Sequence, residues 1–326
     1  MLLLFSSINE RFTSLIEEHL QTTSLFKFNL DAASLKESIV SIIERDIIIE
    51  QDGRKVKSSQ ISGVWIKRQS VFVTSAEEES HCGFTDFCNY KLWKDEWNSI
   101  IKQLIAYLSY LGIPFFDEFD SIVRAEKKIL QLDIAREVGF NIPSTIVSNS
   151  KSQIIDFLNQ HDDEGILKLS TQPTFNKNND VYFIFANKVS SADFDEMDIT
   201  INSPVIVQNY IEKQYEVRYT FVNGEHFVCK IESQLSDKSK IDFRRYDFAN
   251  TPYVAIEAPE RIKNMVSVFM SKLKLNYGAL DFIVDHNGNW HFLEINPVGQ
   301  YGWIEHLTGL SITDAILRFL QKKRII

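Results

Sequence analysis

Two carboxylates and an amide near the C-terminal end of the chain could hold a metal ion. Asp281 and Glu294 lie in apolar segments separated by Asn287-Gly288, a dipeptide that favours a two-residue type I′ hairpin turn. Such a turn would place Asp281 directly across from Glu294, with Cβ atoms about 5 Å apart. Asn296 lies two residues beyond Glu294 and would share its face. Oxygen ligands of this kind suit Mg²⁺, with waters and substrate phosphates completing the shell.

The opposite face of the predicted hairpin is apolar and comprises Phe282, Val284, Leu293 and Ile295. This face must pack against the protein, so the carboxylate pair is expected to be partly enclosed. Because two facing carboxylates repel each other, a bound cation is the simplest source of stabilisation. The alternative is a solvated carboxylate pair on an edge hairpin.

Two lysines upstream could bind an anion. Lys168 lies inside an apolar segment, residues 165–169, and a buried ammonium without a partner is costly. An anion is therefore expected near Lys168. Lys128 follows Lys127 in a helical segment that ends at Gly139, and by itself this pair is typical of a solvated helix face.

The elements that must position these groups begin with an α/β pattern. An apolar run at residues 2–5 and helical spacing at 12–20 predict a strand and then a helix. Further elements predicted before residue 116 are strands at 46–50 and 63–66, a helix at 97–111 and an extended exit at 113–116. Residues 1–115 are therefore expected to form an open α/β domain.

The rest of the chain predicts a small central unit, residues 116–204, and a C-terminal antiparallel-sheet domain, residues 205–326. The fold class is α/β combined with α+β. The predicted helices are 124–138, 151–159, 260–273 and 311–321, and the predicted strands are 165–169, 181–185, 205–211, 216–222 and 226–232, with a polar loop at 170–180 and the hairpin at 280–295. Gly139 is predicted to end the first of these helices, and Asn223-Gly224 to form a hairpin turn.

Composition narrows the function classes. A length of 326 residues with 44% hydrophobic and 24% charged residues indicates a folded protein of two or three domains. A formal net charge of −9 argues against a general nucleic-acid binder. Three cysteines without framework spacing predict reduced thiols and a cytoplasmic location. The apolar start is too short for a signal peptide or a membrane span, so no membrane partner is expected.

Taken in order, these segments resemble the ATP-grasp ligases. Lys128, eleven residues before Gly139, is similar to the lysine that opens the nucleotide-binding module of that family. Lys168 resembles the second ATP lysine. Residues 205–211 resemble the strand that joins the two lobes, and the resemblance implies cofactor contacts from Gln208, Asn209 and Ile211. The Asn209 C=O and the Ile211 N–H would pair with the adenine edge.

The resemblance extends over roughly residues 116–310. Glu216 and Arg218 are similar to the acidic residue that binds the ribose hydroxyls and the arginine that follows it. Asp281, Glu294 and Asn296 match the magnesium pattern of the family. The resemblance therefore implies ATP and Mg²⁺ as cofactors, with two ions expected.

A glycine-rich phosphate loop is absent from residues 170–180. Phosphate cover would then come from Thr171, Thr174 or Lys177, or from loop closure. Glycine-poor loops are familiar in the graspetide (microviridin-type) and grasp-with-spasm peptide maturases. That subset also offers a tryptophan-bearing strand ending in basic residues, similar to residues 64–68. It further has an Asp-x-Arg segment, similar to residues 240–247.

The Asp-x-Arg segment implies substrate contacts from Asp242, Arg244 and Arg245, since adjacent arginines can capture carboxylates through bidentate bonds. A solvated loop pair is the alternative. The resemblance also implies that Arg218 and Arg244 hold an acyl phosphate.

The expected function is an ATP-dependent ligase that forms ester or amide cross-links in a ribosomally made precursor peptide with leader and core. Two alternatives remain open. One is a RimK-like ligase that joins an amino acid to a peptide or protein, and the other is an ATP-binding regulatory module without turnover. The oligomeric state is open between a monomer and a homodimer.

Overall fold

The N-terminal part of the computed structural model combines a parallel sheet with an antiparallel meander. The structure describes residues 1–8, 11–20, 24–170, 174–177, 180–183, 185–196, 203–245 and 247–326. The first six strands are β1 Leu2–Ser6, β2 Leu25–Asn29, β3 Ile39–Ile43, β4 Asp46–Gln51, β5 Arg54–Lys57 and β6 Gly63–Ile66. The parallel sheet has the order β2-β1-β6, and the meander has the order β3-β4-β5. The first four helices are α1 Arg11–His19, α2 Ala32–Lys36, α3 Ser75–Glu79 and α4 Phe87–Tyr110.

The predicted α/β opening agrees with this arrangement, but the details differ at three places. The meander partners of β4 were not predicted. Helix α4 begins at an Asp86 cap, whose Oδ1 accepts from Asn89 N at 2.9 Å, ten residues before the predicted start. Phe87, Tyr90 and Trp93 in this first half recur at helical spacing, so its signal was present in the sequence. The predicted strand at 113–116 is reduced to one bridge, between Val64 and Phe115.

The central part carries a four-stranded antiparallel sheet. Its elements are α5 Phe119–Ala125, α6 Lys128–Val138, β7 Thr145–Ser148, α7 Lys151–Asn159, β8 Gly165–Lys168, β9 Thr174–Lys177, β10 Asp180–Phe183, β11 Asn187–Val189, α8 Ser191–Glu196 and β12 Val205–Asn209. The sheet order is β11-β8-β12-β7, and β9 pairs with β10 in a separate hairpin. Strand β12 lies beyond the predicted boundary at residue 204, yet it hydrogen-bonds to the central sheet.

Two predictions for this region are wrong. The single helix at 124–138 is two helices, because the backbone of Lys127 is extended (φ −79°, ψ 97°). Lys128 consequently opens α6. The polar loop at 170–180 contains β9, since residues 174–177 pair with 180–183. Thr171 and the side chains of Thr174 and Lys177, proposed to cover phosphates, lie outside the described residues.

The C-terminal part is built on a five-stranded antiparallel sheet in the order β15-β14-β13-β16-β17. Its elements are β13 Lys213–Val222, β14 Glu225–Ile231, β15 Tyr253–Ile256, α9 Glu260–Leu273, β16 Tyr277–Asp285, β17 Trp290–Asn296, α10 Gly302–Thr308 and α11 Ile312–Lys322. The Asn223-Gly224 turn has positive φ at both residues, 44° and 94°, as the predicted type I′ turn requires. None of the helices in the described ranges is long and apolar enough to cross a bilayer.

Aromatic packing fixes the end of α6 against the five-stranded sheet. Phe140, which follows the left-handed cap residue Gly139 (φ 96°), lies 5.5 Å from the Phe282 ring and 5.6 Å from the Phe292 ring. Phe269 of α9 joins the cluster, 5.1 Å from Phe292. Helix α6 is therefore held beside β17, the strand that carries the predicted metal ligands.

Candidate functional site

The β16–β17 hairpin pairs Asp281 with Glu294, as predicted. The predicted two-residue type I′ turn is wrong, however. Gly288 has a positive φ of 80° but Asn287 does not, and Asp285 N donates to Asn289 O at 3.1 Å. The turn is thus one residue longer than predicted, which shifts the register of the hairpin by one residue near its tip.

A β-bulge shifts the register back. Phe282 pairs with Phe292, whereas Asp281 pairs with Glu294, so Leu293 is the extra residue. An inserted residue reverses the alternation of faces. Leu293 accordingly lines the cleft beside Glu294, and its predicted place on the apolar face with Phe282 is wrong. The predicted carboxylate pairing is right because two irregularities compensate.

A cleft of about 630 Å³ separates the four-stranded sheet from the five-stranded sheet. Strands β8 and β12 form one wall, β13, β16 and β17 form the other, and a 3₁₀ turn at Phe243–Arg245 lies at one end. Five of the six predicted cofactor-binding residues line it: Lys168, Gln208, Asn209, Ile211 and Glu216. The residues implied by the family resemblance therefore include most of one side of this cleft.

The cleft has the character of a slot for a flat ring. Ile166 lines it from the four-stranded sheet, and Ile283 and Leu293 line it from the five-stranded sheet. No described residue accepts a hydrogen bond from the Ile211 N–H. The Gln208 Oε1 is also buried without a partner in the described chain. An apolar slot with a free donor and a free acceptor suits a nucleobase, because buried polar groups otherwise find partners.

A larger cavity of about 1290 Å³ adjoins the cleft. Both are lined by Arg244, Asp281 and Glu294. The larger cavity adds Lys128, Arg218 and Asn296 to these residues. The three predicted metal ligands and both predicted catalytic arginines therefore meet at one place.

Three cations surround the carboxylate pair. Lys128 Nζ lies 3.0 Å from Glu294 Oε2, and Arg244 Nη1 lies 3.2 Å from Glu294 Oε1. Arg218 Nη1 donates to both oxygens of Asp281, at 2.8 and 2.9 Å. Each carboxylate of the pair therefore has at least one direct cationic partner.

The two carboxyl groups differ in their acidity. Burial acts to raise the pKa of Glu294, but Lys128, Arg244 and Lys168 outweigh it and hold that pKa at about 2. Burial raises the pKa of Asp281, against the opposing effect of Arg218, and the charge on Glu294 adds to the rise. Glu294 is therefore the more strongly acidic of the two and the one that stays ionised to lower pH.

Lys168 is the cation whose charge is most easily lost. Burial lowers its pKa to about 8, Lys128 and Arg244 add to the decrease, and Glu294 opposes it. No ion pair or hydrogen bond joins the Lys168 side chain to another described residue. This agrees with the expectation from sequence that an anion belongs beside it.

Asp242 and Arg244 are joined in the site, but Arg245 is not. Arg244 Nε and Nη2 donate to the two oxygens of Asp242, at 2.8 and 2.6 Å. These bonds outweigh burial and lower the pKa of Asp242. Arg245 lines neither cavity, because its Nη2 donates to Ala186 O at 3.2 Å and to Asn187 Oδ1 at 2.7 Å. Arg244 is thereby aimed at Glu294, while Arg245 holds the edge of β11.

Two buried residues of the site were not predicted. Gln131 Nε2 donates to Ile295 O at 2.9 Å, and its Oε1 accepts from Ile295 N at 3.0 Å. Ile295 lies between Glu294 and Asn296 on β17, the edge strand of the sheet. The Gln131 side chain therefore makes the hydrogen bonds that the backbone of a neighbouring strand would otherwise make. The available signal was its position three residues after Lys128, which makes it a polar residue on a helix face that is otherwise apolar.

Lys213 is the second missed residue. Its Nζ lies 2.7 Å from Glu216 Oε1 and donates to Ile241 O at 3.0 Å. Burial raises the pKa of Glu216, and Lys213 acts against that rise. Residues three apart in a regular strand face opposite sides, and here an irregularity between Lys213 and Tyr215 brings Lys213 and Glu216 together. A bulge of this kind has no clear sequence signal.

The predicted metal set fits a hard cation by its chemistry. Asp281, Glu294 and Asn296 offer oxygen donors around one cavity, and Asn296 Oδ1 accepts only one backbone bond, from Val298 N at 3.0 Å. Within the described ranges no group of three or more His, Cys, Asp or Glu side chains is arranged for a metal ion. Two carboxylates and one amide suit Mg²⁺, which also takes waters and phosphate oxygens as ligands.

Comparison with solved structures gives the same fold over almost the whole chain. A Chryseobacterium gregarium RiPP-associated ATP-grasp ligase, solved with ADP and a leader and core peptide, is 25% identical, with a TM-score of 0.82 over 99% of this chain and 96% of that one. The Microcystis aeruginosa macrocyclase MdnC, bound with precursor peptide MdnA, is 22% identical, with a TM-score of 0.81 over 98% of this chain and 99% of that one. No family model matches the chain.

Curated relatives match a smaller share of the chain. A probable alpha-L-glutamate ligase of Shewanella sp. strain W3-18-1 is 20% identical over 240 residues, which is 69% of this chain and 77% of the relative. A D-alanine–D-alanine ligase of Borrelia duttonii is 28% identical over 96 residues, 29% of this chain. The match spans about a quarter (26%) of that ligase. The predicted fold class is confirmed, and the chain has the ATP-grasp fold, similar over nearly its whole length to that of a RiPP-associated ligase.

Proposed function

We propose that this chain is an ATP-dependent carboxylate ligase that forms ester or amide cross-links in a ribosomally made precursor peptide. The observation that carries the proposal is the arrangement around Glu294, where Lys128 and Arg244 converge with the Arg218–Asp281 pair. This arrangement lies where the slot for a flat ring opens into the larger cavity. A nucleotide in the slot would direct its phosphates toward these cations, and the larger cavity leaves room for a second substrate.

The proposed reaction has two transfers. A side-chain carboxylate of the peptide attacks the γ-phosphorus of ATP, and the bond to the β,γ-bridging oxygen breaks. ADP is the leaving group, and the peptide carboxylate becomes an acyl phosphate. A hydroxyl or amine of the same peptide then attacks the acyl carbon, inorganic phosphate leaves, and a proton is released. Positioning and charge stabilisation supply most of the rate, as in other phosphoryl transfers.

The residue roles that we propose are supported by the geometry of the two cavities. Lys128 and Lys168 hold the phosphates, and Gln208 and Ile211 meet the base. Arg218 and Arg244 would neutralise the acyl phosphate, because both line the larger cavity beside Asp281 and Glu294.

Asp281, Glu294 and Asn296 would hold Mg²⁺, two ions in the form we propose. The metal supplies charge neutralisation of the phosphate oxygens. The side chain of Glu216 would meet the ribose hydroxyls, and Asp242 would keep Arg244 oriented toward the substrate carboxylate.

The precursor peptide is inferred from the likeness to the Chryseobacterium gregarium ligase, which was solved with a leader and core peptide. The likeness to probable alpha-L-glutamate ligases favours one alternative, transfer of a free amino acid to a peptide or protein. The products differ in mass. A cross-link removes one water per bond from the peptide, whereas amino-acid transfer adds a residue.

The test uses the full chain with ATP, Mg²⁺ and each short peptide encoded beside the gene that is rich in Thr, Ser, Lys, Asp or Glu. We expect phosphate release together with loss of water from one of these peptides, measured by mass spectrometry. No phosphate release with any of them would refute the peptide substrate. A gain in mass with free glutamate present would support the alternative.

Glu294→Gln tests the assignment of the centre. We expect at least a roughly 100-fold loss of turnover, because the variant removes the charge of a proposed ligand of Mg²⁺, the ion that would neutralise the phosphate oxygens. Glu257→Gln is the matched control, since the Glu257 side chain is 87% exposed and pairs only with Lys263. Unchanged turnover in Glu294→Gln would show that the metal assignment is wrong.

A further inference from the structure

The larger cavity is lined by a carboxylate that has no role in the reaction as proposed so far. Among the described residues that line this cavity, the carboxylates are Glu126, Asp281 and Glu294, and none of the lining residues is a histidine. Asp281 and Glu294 are each bound by cations and are the proposed ligands of Mg²⁺. No ion pair joins Glu126 to another residue in the described ranges. Glu126 is therefore the carboxylate of this cavity that is available to accept a proton.

The break between α5 and α6 places Glu126 in the larger cavity. Glu126 directly follows α5, and Lys128 opens α6. The backbone of Lys127 between them is extended (φ −79°, ψ 97°), and the two neighbours of an extended residue project to the same side. Glu126 and Lys128 accordingly both line the larger cavity, whereas Lys127 is exposed. Glu126 thus shares this space with one of the cations that bind Glu294.

A neutral side chain holds one oxygen of Glu126. Gln69 Nε2 donates to Glu126 Oε1 at 2.6 Å. Glu126 Oε2 accepts no hydrogen bond from the part of the chain that the structure describes. Burial raises the pKa of Glu126 above the ordinary value of a glutamate, against the opposing effects of Gln69 and Lys127. A carboxylate with one oxygen fixed, the other available and a raised pKa has the properties of a general base.

The second transfer of the proposed reaction requires a proton acceptor. The attacking hydroxyl or amine must lose a proton as its oxygen or nitrogen bonds to the acyl carbon. Arginine side chains stay protonated at neutral pH, and Lys128 is ion-paired with Glu294. The other polar side chains among the described lining residues are three amides and one hydroxyl, which are weak bases: Gln131, Asn296, Gln300 and Ser170. Glu126 is the group in this cavity that has both the charge and the free oxygen.

We propose that Glu126 is the general base of the second transfer and takes the proton of the attacking hydroxyl or amine. This inference rests on the proposed function. The proton passes to Glu126 Oε2 as the new C–O or C–N bond forms, and the bond between the acyl carbon and the phosphate oxygen breaks. The departing phosphate keeps the electron pair and takes the proton from Glu126, which returns to its carboxylate form. A nucleophile that starts as an ammonium first loses one further proton to water.

Trapping with hydroxylamine separates the two transfers. Hydroxylamine is uncharged at neutral pH and attacks an acyl phosphate without a base, so a peptide hydroxamate reports the first transfer alone. The substrate is a short peptide encoded beside the gene, chosen because the wild-type chain removes water from it with ATP and Mg²⁺. We expect Glu126→Gln to form the hydroxamate within about twofold of the wild-type rate but to lose cross-linking at least about 100-fold. Mass spectrometry measures both products.

Glutamine at position 126 preserves the contact with Gln69, because its amide oxygen can accept the same hydrogen bond. The ADP affinity of Glu126→Gln, measured by calorimetry, should therefore match that of the wild type. Glu137→Gln is the matched control near the other end of α6. The Glu137 side chain is 64% exposed and pairs with Lys272, so the cross-linking rate of this variant should be unchanged.

Added acetate tests whether the lost group is the proton acceptor. Glu126→Ala leaves space beside Gln69 for a small carboxylate, so acetate should restore cross-linking in proportion to its concentration. Chloride at the same ionic strength should not restore it. Acetate should also fail in Glu126→Gln, because the amide side chain fills the space.

The results distinguish a failure of this inference from a failure of the proposed function. A wild-type chain that releases no phosphate and forms no hydroxamate with any of these peptides would overturn both. If Glu126→Gln cross-links at the wild-type rate, or loses hydroxamate and cross-link in equal measure, the proposed function stands and Glu126 is not the base. A lack of rescue by acetate in Glu126→Ala would exclude the same role.

Discussion

At the residue scale, the site is a balance of charge around two buried carboxylates. Glu294 is held ionised by Lys128 and Arg244, while Asp281 depends on Arg218 alone for a direct cationic contact. Lys168 lies in the same field without an ion pair to a described residue. Anion binding would therefore change the ionisation of Lys168 more than that of the other cations.

The lowered pKa of Lys168 predicts the pH dependence of nucleotide binding. Its pKa is about 8 in place of 10.5, so above pH 8 the side chain must take up a proton to meet a phosphate. We expect ADP affinity to fall as pH rises through 8, by up to about tenfold per pH unit. Calorimetry from pH 7 to 9.5 measures this fall.

Lys168→Arg is the control for that titration, because a guanidinium stays protonated throughout this range. Its ADP affinity should be flat with pH. A wild-type affinity that is equally flat would show that Lys168 does not meet the phosphates.

Gln131 is predicted to position the metal ligands through Ile295. Gln131→Leu would leave the Ile295 N–H and C=O unpaired, which destabilises the fold by about 1–3 kcal/mol. Because Ile295 lies between Glu294 and Asn296, the midpoint for Mg²⁺ activation should rise about 10–100-fold, as for other residues behind metal ligands. ADP affinity without metal should stay within about twofold. Turnover against Mg²⁺ concentration measures this.

The matched control for Gln131 is Gln103→Leu, since Gln103 is exposed and bonds only to Ser99. A variant at Gln131 that loses stability but keeps the wild-type Mg²⁺ midpoint would make the role of Gln131 purely structural.

At the scale of elements, the β16–β17 hairpin pairs Asp281 with Glu294 as predicted, although its turn and its register differ from the prediction. The longer turn at residues 286–288 and the bulge at Leu293 each shift the register by one residue, in opposite directions. The bulge also delivers Leu293 to the cleft wall. Strand β17 is an edge strand, where bulges are more common, and Gln131 covers that edge.

The two Asn-Gly turns of the chain allow a direct test of turn type. Asn223 has a positive φ of 44°, whereas Asn287 does not. Asn223→Ala should therefore destabilise the protein by about 1 kcal/mol, because alanine is strained in the left-handed region. Asn287→Ala should change the free energy of unfolding by less than about 0.5 kcal/mol. Urea denaturation of both variants measures the difference. Equal losses in the free energy of unfolding would indicate that Asn287 is also in a type I′ turn.

At the scale of the whole molecule, Lys67 and Asp117 tie the first part of the chain to the segments that follow and precede the proposed metal ligands. Asp117 accepts hydrogen bonds from Asn276 N at 2.5 Å and from Tyr277 N at 3.2 Å. Buried Lys67, after β6, donates to Gly299 O at 3.0 Å, and Tyr277 OH donates to the same oxygen at 2.6 Å. The basic end of the tryptophan-bearing strand thus supports the site from outside.

Asp117→Ala is predicted to weaken this junction. The variant leaves the N–H groups of Asn276 and Tyr277 buried without acceptors, which costs about 2–4 kcal/mol in the free energy of unfolding. Urea denaturation measures the loss. Asp156→Ala, at an exposed position of α7, should change it by less than about 0.5 kcal/mol. Equal effects of the two variants would mean that the junction adds no stability.

Local patterns in the sequence determined most of the elements and most of the site. The buried run of β1, the cap at Gly139, the Asn223-Gly224 turn and the order of Lys128, Lys168, Glu216, Asp281 and Glu294 are short-range features. They follow from side-chain periodicity, turn chemistry and a family resemblance. The first half of helix α4 was missed although Phe87, Tyr90 and Trp93 recur there at helical spacing.

How these features meet depends on contacts between residues that are distant in the chain. The Leu293 bulge, the Lys213–Glu216 pair, the bond from Gln131 to Ile295 and the separation of Arg244 from Arg245 depend on contacts between residues of different elements or on backbone irregularities. Such contacts have no local period, because their energy comes from burying polar groups that must then find partners. The sequence therefore determined which groups could do the chemistry, and the packing of the sheets decided which of them share a cavity.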